Sequence, residues 1–179
     1  MLTYSALSKT SLKLLLGKTT LIVFPEKGSK PEADLVLYPK PDEEPPKGTI
    51  SWPGEYDIGG VSVIGLGHGE GGQISYVITE EDVRTLILSS PLQLLSDIDL
   101  QQVGDIDILC IPTDDLKKVQ TLIDAIDPRV LIPLETDAKA YPEVLKAVGA
   151  VGREAVEEYK IKGALPVEGR EVVILKMGK

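Results

Sequence analysis

A change of pattern at the middle of the chain constrains the fold more than any other feature. The first half holds short apolar segments separated by glycine- and proline-rich turns, which is typical of β-strands. In the second half, residues 107–111 and 130–134 are predicted strands, and residues 116–126 between them repeat apolar side chains at helical spacing. Strand, amphipathic helix and strand in that order predict a right-handed parallel crossover. The chain is therefore predicted to form one domain over residues 1–179, a two-sheet αββα four-layer sandwich of the α/β (α+β) class.

Two hairpins are predicted in the first half. Residues 12–16 and 21–24 are predicted strands with a glycine-containing turn between them. Residues 61–66 and 74–78 alternate apolar and polar side chains at a period near two, and they flank a glycine-rich tip at residues 67–72. This tip lacks the Lys-Ser/Thr pair and the following helix of a phosphate-binding loop, so turn chemistry explains its glycines.

Charge and hydropathy limit the classes of partner that the protein can bind and indicate its cellular location. With 28 acidic against 19 basic residues the net charge is −9, which disfavours nucleic acid and anionic membrane surfaces as partners. No segment reaches about 18 consecutive apolar residues, and residues 1–6 lack the basic region and apolar core of a signal peptide. The lone cysteine, Cys110, lies in a predicted buried strand and is expected to be a core residue. We therefore expect a soluble cytoplasmic protein.

Four segments carry motifs of a known hydrolase family. The most specific reads Pro-Gly-Glu-Tyr-Asp-Ile-Gly-Gly at residues 53–60. The others are Thr-Thr-Leu-Ile-Val-Phe-Pro at residues 19–25, Ala-Asp-Leu-Val-Leu at residues 33–37, and the strand, helix and strand from residue 103 to residue 133. In this order the chain resembles the small metallo-β-lactamase-fold family related to bacterial metal-dependent hydrolases of the ascorbate-lactonase type. The resemblance implies a metallo-β-lactamase-like sandwich over most of the chain.

The same resemblance implies a zinc site whose ligand positions are substituted in this sequence. The family's His-x-His-x-Asp-His motif follows the strand of residues 33–37, where this chain has residues 38–43, Tyr-Pro-Lys-Pro-Asp-Glu. The aspartate of the family's Leu-Gly-Asp corresponds to Ser90, its last histidine ligand to Glu135 and its early aspartate to Phe24. Zinc is held by imidazole, thiolate and carboxylate groups, so these substitutions predict lost metal chemistry and no cofactor.

A rebuilt site of carboxylates is the alternative. In the implied fold Asp42, Glu43, Asp57 and Glu135 could face one another, and hard cations such as Mg²⁺ or Mn²⁺ accept oxygen ligands. Asp42 and Glu43 lie within residues 39–48, a polar, proline-rich segment predicted to be a stiff exposed loop. The simpler interpretation is a solvated acidic loop with two structural acids.

Other reactive or aromatic residues have simple structural interpretations. The only histidine, His68, is expected to be a solvated residue of the hairpin tip. Ser89 and Ser90 precede a proline without a Gly-x-Ser-x-Gly elbow, so a strand-end turn is favoured over a serine triad.

The motif at residues 53–60 is flanked by the only tryptophan of the chain. Glu55 and Tyr56 are expected to form a buried pair that holds a loop. Core packing is favoured for Trp52, with an exposed interface anchor as the alternative.

Three functions are compatible with this pattern. The leading hypothesis is a catalytically degenerate metallo-β-lactamase-fold protein that acts as a structural or binding module. The second is a metal-dependent hydrolase of phosphodiesters or lactones that uses the carboxylate site. The third is a homo-oligomer assembled through strand edges or the loop around Trp52. The sequence identifies no substrate or partner, since fold alone does not specify function.

Overall fold

The computed structural model describes residues 1–69 and 72–178, and thirteen strands and three helices are found there. The strands of the first half are β1 (Leu2–Ala6), β2 (Leu12–Leu16), β3 (Thr19–Val23), β4 (Leu35–Leu37), β5 (Thr49–Ile50), β6 (Gly54–Ile58), β7 (Val61–His68), β8 (Gln73–Glu80) and β9 (Val83–Ile87). The second half contains α1 (Asp97–Val103), β10 (Ile108–Pro112), α2 (Leu116–Ile126), β11 (Val130–Leu134), α3 (Ala140–Ala147), β12 (Tyr159–Ile161) and β13 (Glu171–Val172).

The strands form two sheets that face each other. The first sheet has the order β12-β1-β2-β3-β4-β5, and the second has the order β13-β11-β10-β9-β8-β7-β6. Alternation along β2 shows how the chain fills the space between them: Leu12, Leu14 and Leu16 are buried in the inter-sheet core, while Lys13 is exposed. The predicted hairpins are confirmed, because β2 pairs antiparallel with β3 and β7 pairs antiparallel with β8. Glu70 and Gly71 of the second hairpin tip lie outside the described residues.

The predicted parallel crossover is also confirmed. β10 and β11 pair in parallel with Ile108 opposite Val130, and α2 connects them. The Asp115 side chain caps the start of α2 by accepting from the Lys118 N–H at 3.0 Å. Asp127 ends the helix in a left-handed conformation, directly before Pro128.

All three described helices contribute to a second apolar cluster on the outer face of the second sheet. Val103 of α1, Val119 of α2 and Val144 of α3 are buried there against strand residues such as Leu109 and Leu131. The two-sheet sandwich is therefore confirmed, with its helices on one side. Loops and polar side chains such as Lys13 occupy the outer face of the first sheet. None of the described helices is long and apolar enough to cross a membrane.

Two elements differ from the sequence prediction. The segment around Glu55 and Tyr56 is the edge strand β6, which pairs antiparallel with β7, and not a loop. Helix α1 was not predicted. It begins with a capping box in which the Ser96 hydroxyl accepts from the Asp99 N–H while the Asp99 carboxylate accepts from the Ser96 N–H.

Candidate functional site

The positions that the resemblance assigns to metal ligands lie along one edge of the sandwich. The carboxyl ends of the parallel strands β9, β10 and β11 meet at this edge, with the His68 end of β7 and the Gln73 start of β8. Ser90 follows β9 and Glu135 follows β11. Ligand sites of sheet proteins commonly occur at the carboxyl ends of parallel strands, so we take this edge as the candidate site.

A buried chain of hydroxyl groups begins at His68. The His68 Nε2 atom lies 2.8 Å from the Ser75 Oγ atom, which lies 3.2 Å from the Ser89 Oγ atom. Ser75 Oγ also accepts from the Ser89 N–H at 3.0 Å, and the Gln73 amide donates to Ser89 Oγ at 2.8 Å. The prediction that His68 is solvated is wrong, because β7 continues through this residue and the imidazole is buried.

Burial also sets the protonation of this histidine. It lowers the pKa of His68 below the ordinary value for histidine, since the charged imidazolium loses hydration, and the charge of Asp99 only partly opposes the effect. The neutral imidazole is therefore the form present at pH 7. One ring nitrogen of a neutral imidazole donates and the other accepts, which suits a single hydrogen bond to a serine hydroxyl.

Ser90 fastens the segment that follows β9. Its hydroxyl donates to Asp114 Oδ2 at 2.9 Å, and the Leu92 N–H donates to the same carboxylate at 3.1 Å. The Lys118 ammonium of α2 donates to the Leu92 carbonyl at 3.0 Å. The turn predicted at Ser89 and Ser90 is thus present. The Ser90 hydroxyl forms an internal hydrogen bond with the loop before α2.

Phe24 stands where the resemblance has an aspartate. It is buried in the inter-sheet core, and its ring centroid lies 5.9 Å from that of Tyr76. Its backbone has a positive φ of 54°, and its N–H donates to the Leu37 carbonyl at 2.8 Å. An aromatic ring in this position extends the apolar core to the edge of the sandwich.

The acidic loop at residues 39–48 is anchored at its start and at its middle. The Ile74 N–H donates to the Pro39 carbonyl at 2.8 Å, and the Tyr76 hydroxyl donates to the Tyr38 carbonyl at 2.7 Å. The Trp52 indole donates to the Asp42 carbonyl at 2.8 Å. The carboxylates of residues 42–44 remain exposed, as the sequence predicts.

The outcome at Trp52 and its neighbours is mixed. Trp52 is 48% exposed, so the prediction of core packing is wrong, and its indole N–H donates to the backbone of the acidic loop instead. The predicted buried pair is half correct. Tyr56 is partly buried and donates its hydroxyl to the Trp52 carbonyl at 2.9 Å, whereas Glu55 is exposed on the outward side of the edge strand.

The four carboxylates of the alternative metal site do not converge. Asp57 pairs with Ser62 at the far end of β7, about 20 Å from His68 at a rise of ~3.4 Å per residue. Asp42 lies on the acidic loop beyond β4, while Glu135 lines a cavity of about 220 Å³ with Lys9 and Tyr141. The expected facing arrangement that includes Asp57 is therefore wrong.

The donor set does not fit the zinc ion that the fold family implies. Histidine, cysteine, aspartate and glutamate do not form a group of three or more with metal-binding geometry within residues 1–69 and 72–178. The family positions present a serine hydroxyl at Ser90, a ring at Phe24, a carboxylate at Glu135 and two exposed carboxylates in the acidic loop, whereas a zinc site needs three or four converging ligands.

The hydroxyl chain was missed by reasoning from the sequence, although one signal was present. Ser75 stands in an otherwise apolar segment between Ile74 and Val77, on the face of β8 that also carries Val77. A serine at a buried strand position must find a hydrogen-bond partner, and His68 on the neighbouring strand is within reach.

Solved structures with a similar fold include proteins of the metallo-β-lactamase superfamily. A protein of Thermotoga maritima, proposed to be a Zn-dependent hydrolase of the metallo-β-lactamase superfamily, matches with a TM-score of 0.81 at 19% identity, over 99% of this chain and 100% of that one. A proposed metal-dependent hydrolase of Parabacteroides distasonis matches with a TM-score of 0.64 at 14% identity, over 99% and 94% of the two chains. The metallo-β-lactamase fold protein YhfI of Bacillus subtilis gives 0.63 at 10% identity, over 99% and 98%.

At these identities the likeness establishes the fold alone. No protein-family model and no curated protein matches the sequence. The fold does not specify the chemistry, which depends on this chain's own residues.

Proposed function

We propose that this chain, which has the metallo-β-lactamase fold, serves as a binding or structural module and has lost metal-dependent hydrolysis. The observation that supports this most is the hydrogen bond from the Ser90 hydroxyl to the Asp114 carboxylate. The position of a bridging metal ligand in the resembling family here ties the segment after β9 to Asp114, and the same carboxylate holds the Leu92 N–H. A group committed to an internal hydrogen bond is poorly placed to bind a metal or activate water.

The residues at the neighbouring family positions also support the loss of metal-dependent hydrolysis. Phe24 closes the inter-sheet edge with an apolar ring, and the Pro39 carbonyl fastens the acidic loop to β8. These contacts stabilise the edge of the sandwich as a packed surface. In a hydrolase the same edge has to remain open for substrate and for the attacking water.

A serine hydrolase is not supported by the contact between His68 and Ser75, although 2.8 Å is a suitable distance between a base and a nucleophile. Ser75 is only 1% exposed, so substrate has no access to its hydroxyl. Its oxygen also has three partners, His68 Nε2 and both the backbone N–H and the hydroxyl of Ser89. These contacts account for the donor and acceptor capacity of one hydroxyl group.

Metal retention tests the proposal against the hydrolase alternative. The protein, purified without chelator, is incubated with Zn²⁺, Mn²⁺ and Mg²⁺, desalted and measured by plasma mass spectrometry. Thermal unfolding with each metal in excess detects weak binding, since a ligand of the native state raises the melting temperature. We expect no stoichiometric metal, no thermal shift, and no metal-dependent turnover of phosphodiesters or lactones.

The hydrolase alternative makes a specific counter-prediction. Mn²⁺-dependent turnover that is lost in the double variant Asp42→Ala and Glu135→Ala, and kept in a control variant Glu55→Ala, would establish a carboxylate site. Glu55 suits the control because it is an exposed acid on the edge strand. That result would overturn the proposal.

A further inference from the structure

A groove of about 1090 Å³ lies at the β12 end of the first sheet, next to β1. β12 pairs with β1 over Leu2 to Tyr4, and the C-terminal segment meets β1 through a bridge between Met177 and Ala6. Ser5 lines the groove between these two contacts. This side of the molecule carries none of the described helices, which all pack on the second sheet.

The groove is basic on an acidic protein. Lys160 pairs with Glu158 at 2.7 Å, and the remaining lysines of the groove make no ion pair among the described residues. Four lysines against two glutamates give the groove a formal charge of +2, while the whole chain carries −9. Like charges gathered on one surface repel each other, and an anionic partner relieves that repulsion. The ionisable residues of the groove are Lys13, Lys160, Lys162, Lys176, Glu157 and Glu158.

The groove also presents apolar surface. Leu7 is 41% exposed and Met177 is 45% exposed, and both line the groove beside the lysines. Large exposed apolar side chains close to charges are typical of protein-binding surfaces. A nucleic acid would meet a short run of cations on a chain whose net charge repels its phosphates, so it fits this surface poorly.

We propose that this groove binds an acidic segment of a partner protein. Carboxylates of the segment contact Lys13, Lys162 and Lys176, and an apolar side chain of the segment packs against Leu7 and Met177. The inference deepens the proposed binding role by naming a surface and the chemistry of its partner. Its basis is the groove alone, so it stands or falls separately from the metal result.

Fluorescence anisotropy with a defined peptide tests the inference. The probe is a fluorescein-labelled peptide of alternating glutamate and leucine, and its matched control alternates glutamine and leucine. We expect the acidic probe to bind and the glutamine peptide to bind at least tenfold more weakly, with affinity for the acidic probe falling as salt rises. Equal binding of the two peptides, or no binding of the acidic one, overturns the proposal.

Variants assign the binding to the groove. The double variant Lys13→Glu and Lys176→Glu is expected to weaken the acidic probe by about tenfold or more, because two contacts change from attraction to repulsion. The control Lys117→Glu and Lys146→Glu makes the same charge change on exposed residues of α2 and α3 and is expected to keep the affinity. Circular dichroism verifies that both variants fold. Equal losses in the two variants contradict a groove-specific contact.

Two further outcomes would replace the proposed partner. Sedimentation velocity shows whether the protein self-associates, and a dimer that dissociates in Lys13→Glu and Lys176→Glu would make a second copy the occupant. Tripolyphosphate that binds more tightly than the acidic probe, with no loss of tripolyphosphate binding in Leu7→Ser, would make the groove a simple anion site. Either result overturns the peptide proposal, while metal retention is measured on the same preparation and reports separately on the hydrolase question.

Discussion

At the scale of single residues, buried hydroxyl groups and one imidazole connect β7 and β8 to the segment that follows β9. Ser75 lies at the centre of this series of hydrogen bonds, with His68 on one side and Ser89 on the other. A buried polar group without a partner costs more than its hydrogen bond contributes when made. The arrangement is therefore sensitive to the loss of any one member.

Replacing Ser75 with alanine should destabilise the protein. The change leaves the Ser89 N–H and the His68 imidazole without their partner in a buried site, at a cost of about 1–3 kcal/mol. Urea unfolding measures the difference. The control is Ser62→Ala, an exposed serine on β7, for which we expect a change within about 0.5 kcal/mol. Equal stability of the two variants would show that the hydroxyl chain contributes little.

The stability should fall in mildly acidic solution because of His68. Its pKa is lowered in the folded protein by burial, so below about pH 6.5 the unfolded chain binds a proton that the folded chain rejects. The free energy of unfolding then decreases as the pH falls from the unfolded pKa towards the folded one, and it is unaffected by this group above that window. Measurement is by urea unfolding between pH 5 and 8.

The variant His68→Gln provides the control, since it removes the only histidine of the chain. The difference in stability between the protein and the variant should narrow as the pH falls through that window. A difference that stays constant would mean that the imidazole titrates alike in the folded and unfolded states.

The error at His68 has a physical cause. The glycines of residues 67–72 suggest a loop, yet glycine also occurs where two backbones approach closely. A Cβ atom at Gly65 would lie 2.9 Å from the Trp52 carbonyl, and one at Gly67 would lie 2.9 Å from the Pro53 ring. These glycines let the segment of Trp52 and Pro53 lie close against β7, and the strand continues to His68.

At the scale of elements, α2 is set by local signals and β6 is set by its neighbour. The apolar positions Val119, Leu122 and Ile123 of α2 follow helical spacing and are buried, so its sequence and its environment agree. β6 begins at Gly54 and has exposed acids at two of its five positions, and among the described strands its backbone pairs with β7 alone. Pairing across a sheet depends on the tertiary fold, which local sequence does not report.

The N-terminal cap of α2 should be worth a measurable part of the stability. In Asp115→Ala the Lys118 N–H loses its acceptor, and we expect a loss of about 1 kcal/mol. Asp115→Asn keeps an oxygen acceptor of similar length and should retain most of the stability. Thermal unfolding of the two variants distinguishes them, and an equally large loss in both would assign the effect to the charge of the aspartate.

Helix α1 was not predicted because it is short and its apolar pattern is weak. Its capping box at Ser96 and Asp99 is legible in the sequence, but the helix has seven residues and only Val103 of them is buried. Short helices are held by their tertiary contacts. Here the Arg84 guanidinium donates to the Val103 carbonyl at 2.7 Å, a contact between residues distant in sequence.

At the scale of the whole molecule, side-chain hydrogen bonds connect the two sheets, and one of them joins two buried hydroxyl groups in the core between the sheets. The Tyr4 hydroxyl on β1 of the first sheet lies 2.7 Å from the Thr85 hydroxyl on β9 of the second. Both groups are buried, and burial raises the pKa of Tyr4 well above its usual range. Together with the Tyr76 hydroxyl, which donates to the Ile50 carbonyl at 3.1 Å, this pair helps to hold the two sheets against each other.

A double-mutant cycle should reveal this contact. Tyr4→Phe and Thr85→Val each leave one buried hydroxyl unpaired, at an expected cost of about 1–3 kcal/mol. The double variant removes both hydroxyls and should be less destabilised than the sum of the single variants by about 1 kcal/mol or more. Chemical unfolding provides the values. Strict additivity would mean that the two hydroxyls act independently.

Much of the two-sheet architecture was predictable from the hydrophobic pattern together with the motifs at residues 19–25, 33–37 and 53–60. Alternation in β2 and the run of apolar residues in β10 indicate one sheet with a solvent-facing side and one covered on both sides. The candidate site was not predictable to the same degree. Whether Asp57 and Glu135 meet depends on strand register and on the order of strands in the sheet, and neither is encoded within a few residues of the chain.

The one-sided placement of the helices implies two rates of amide exchange with solvent. β10 and β11 lie in the middle of the second sheet, buried on both faces, so their amide protons exchange only when most of the molecule opens. β12 is a short edge strand with an exposed Lys160, and its amides are reached through local opening. In deuterium the amides of β10 and β11 should therefore exchange slowly, and those of β12 should exchange quickly.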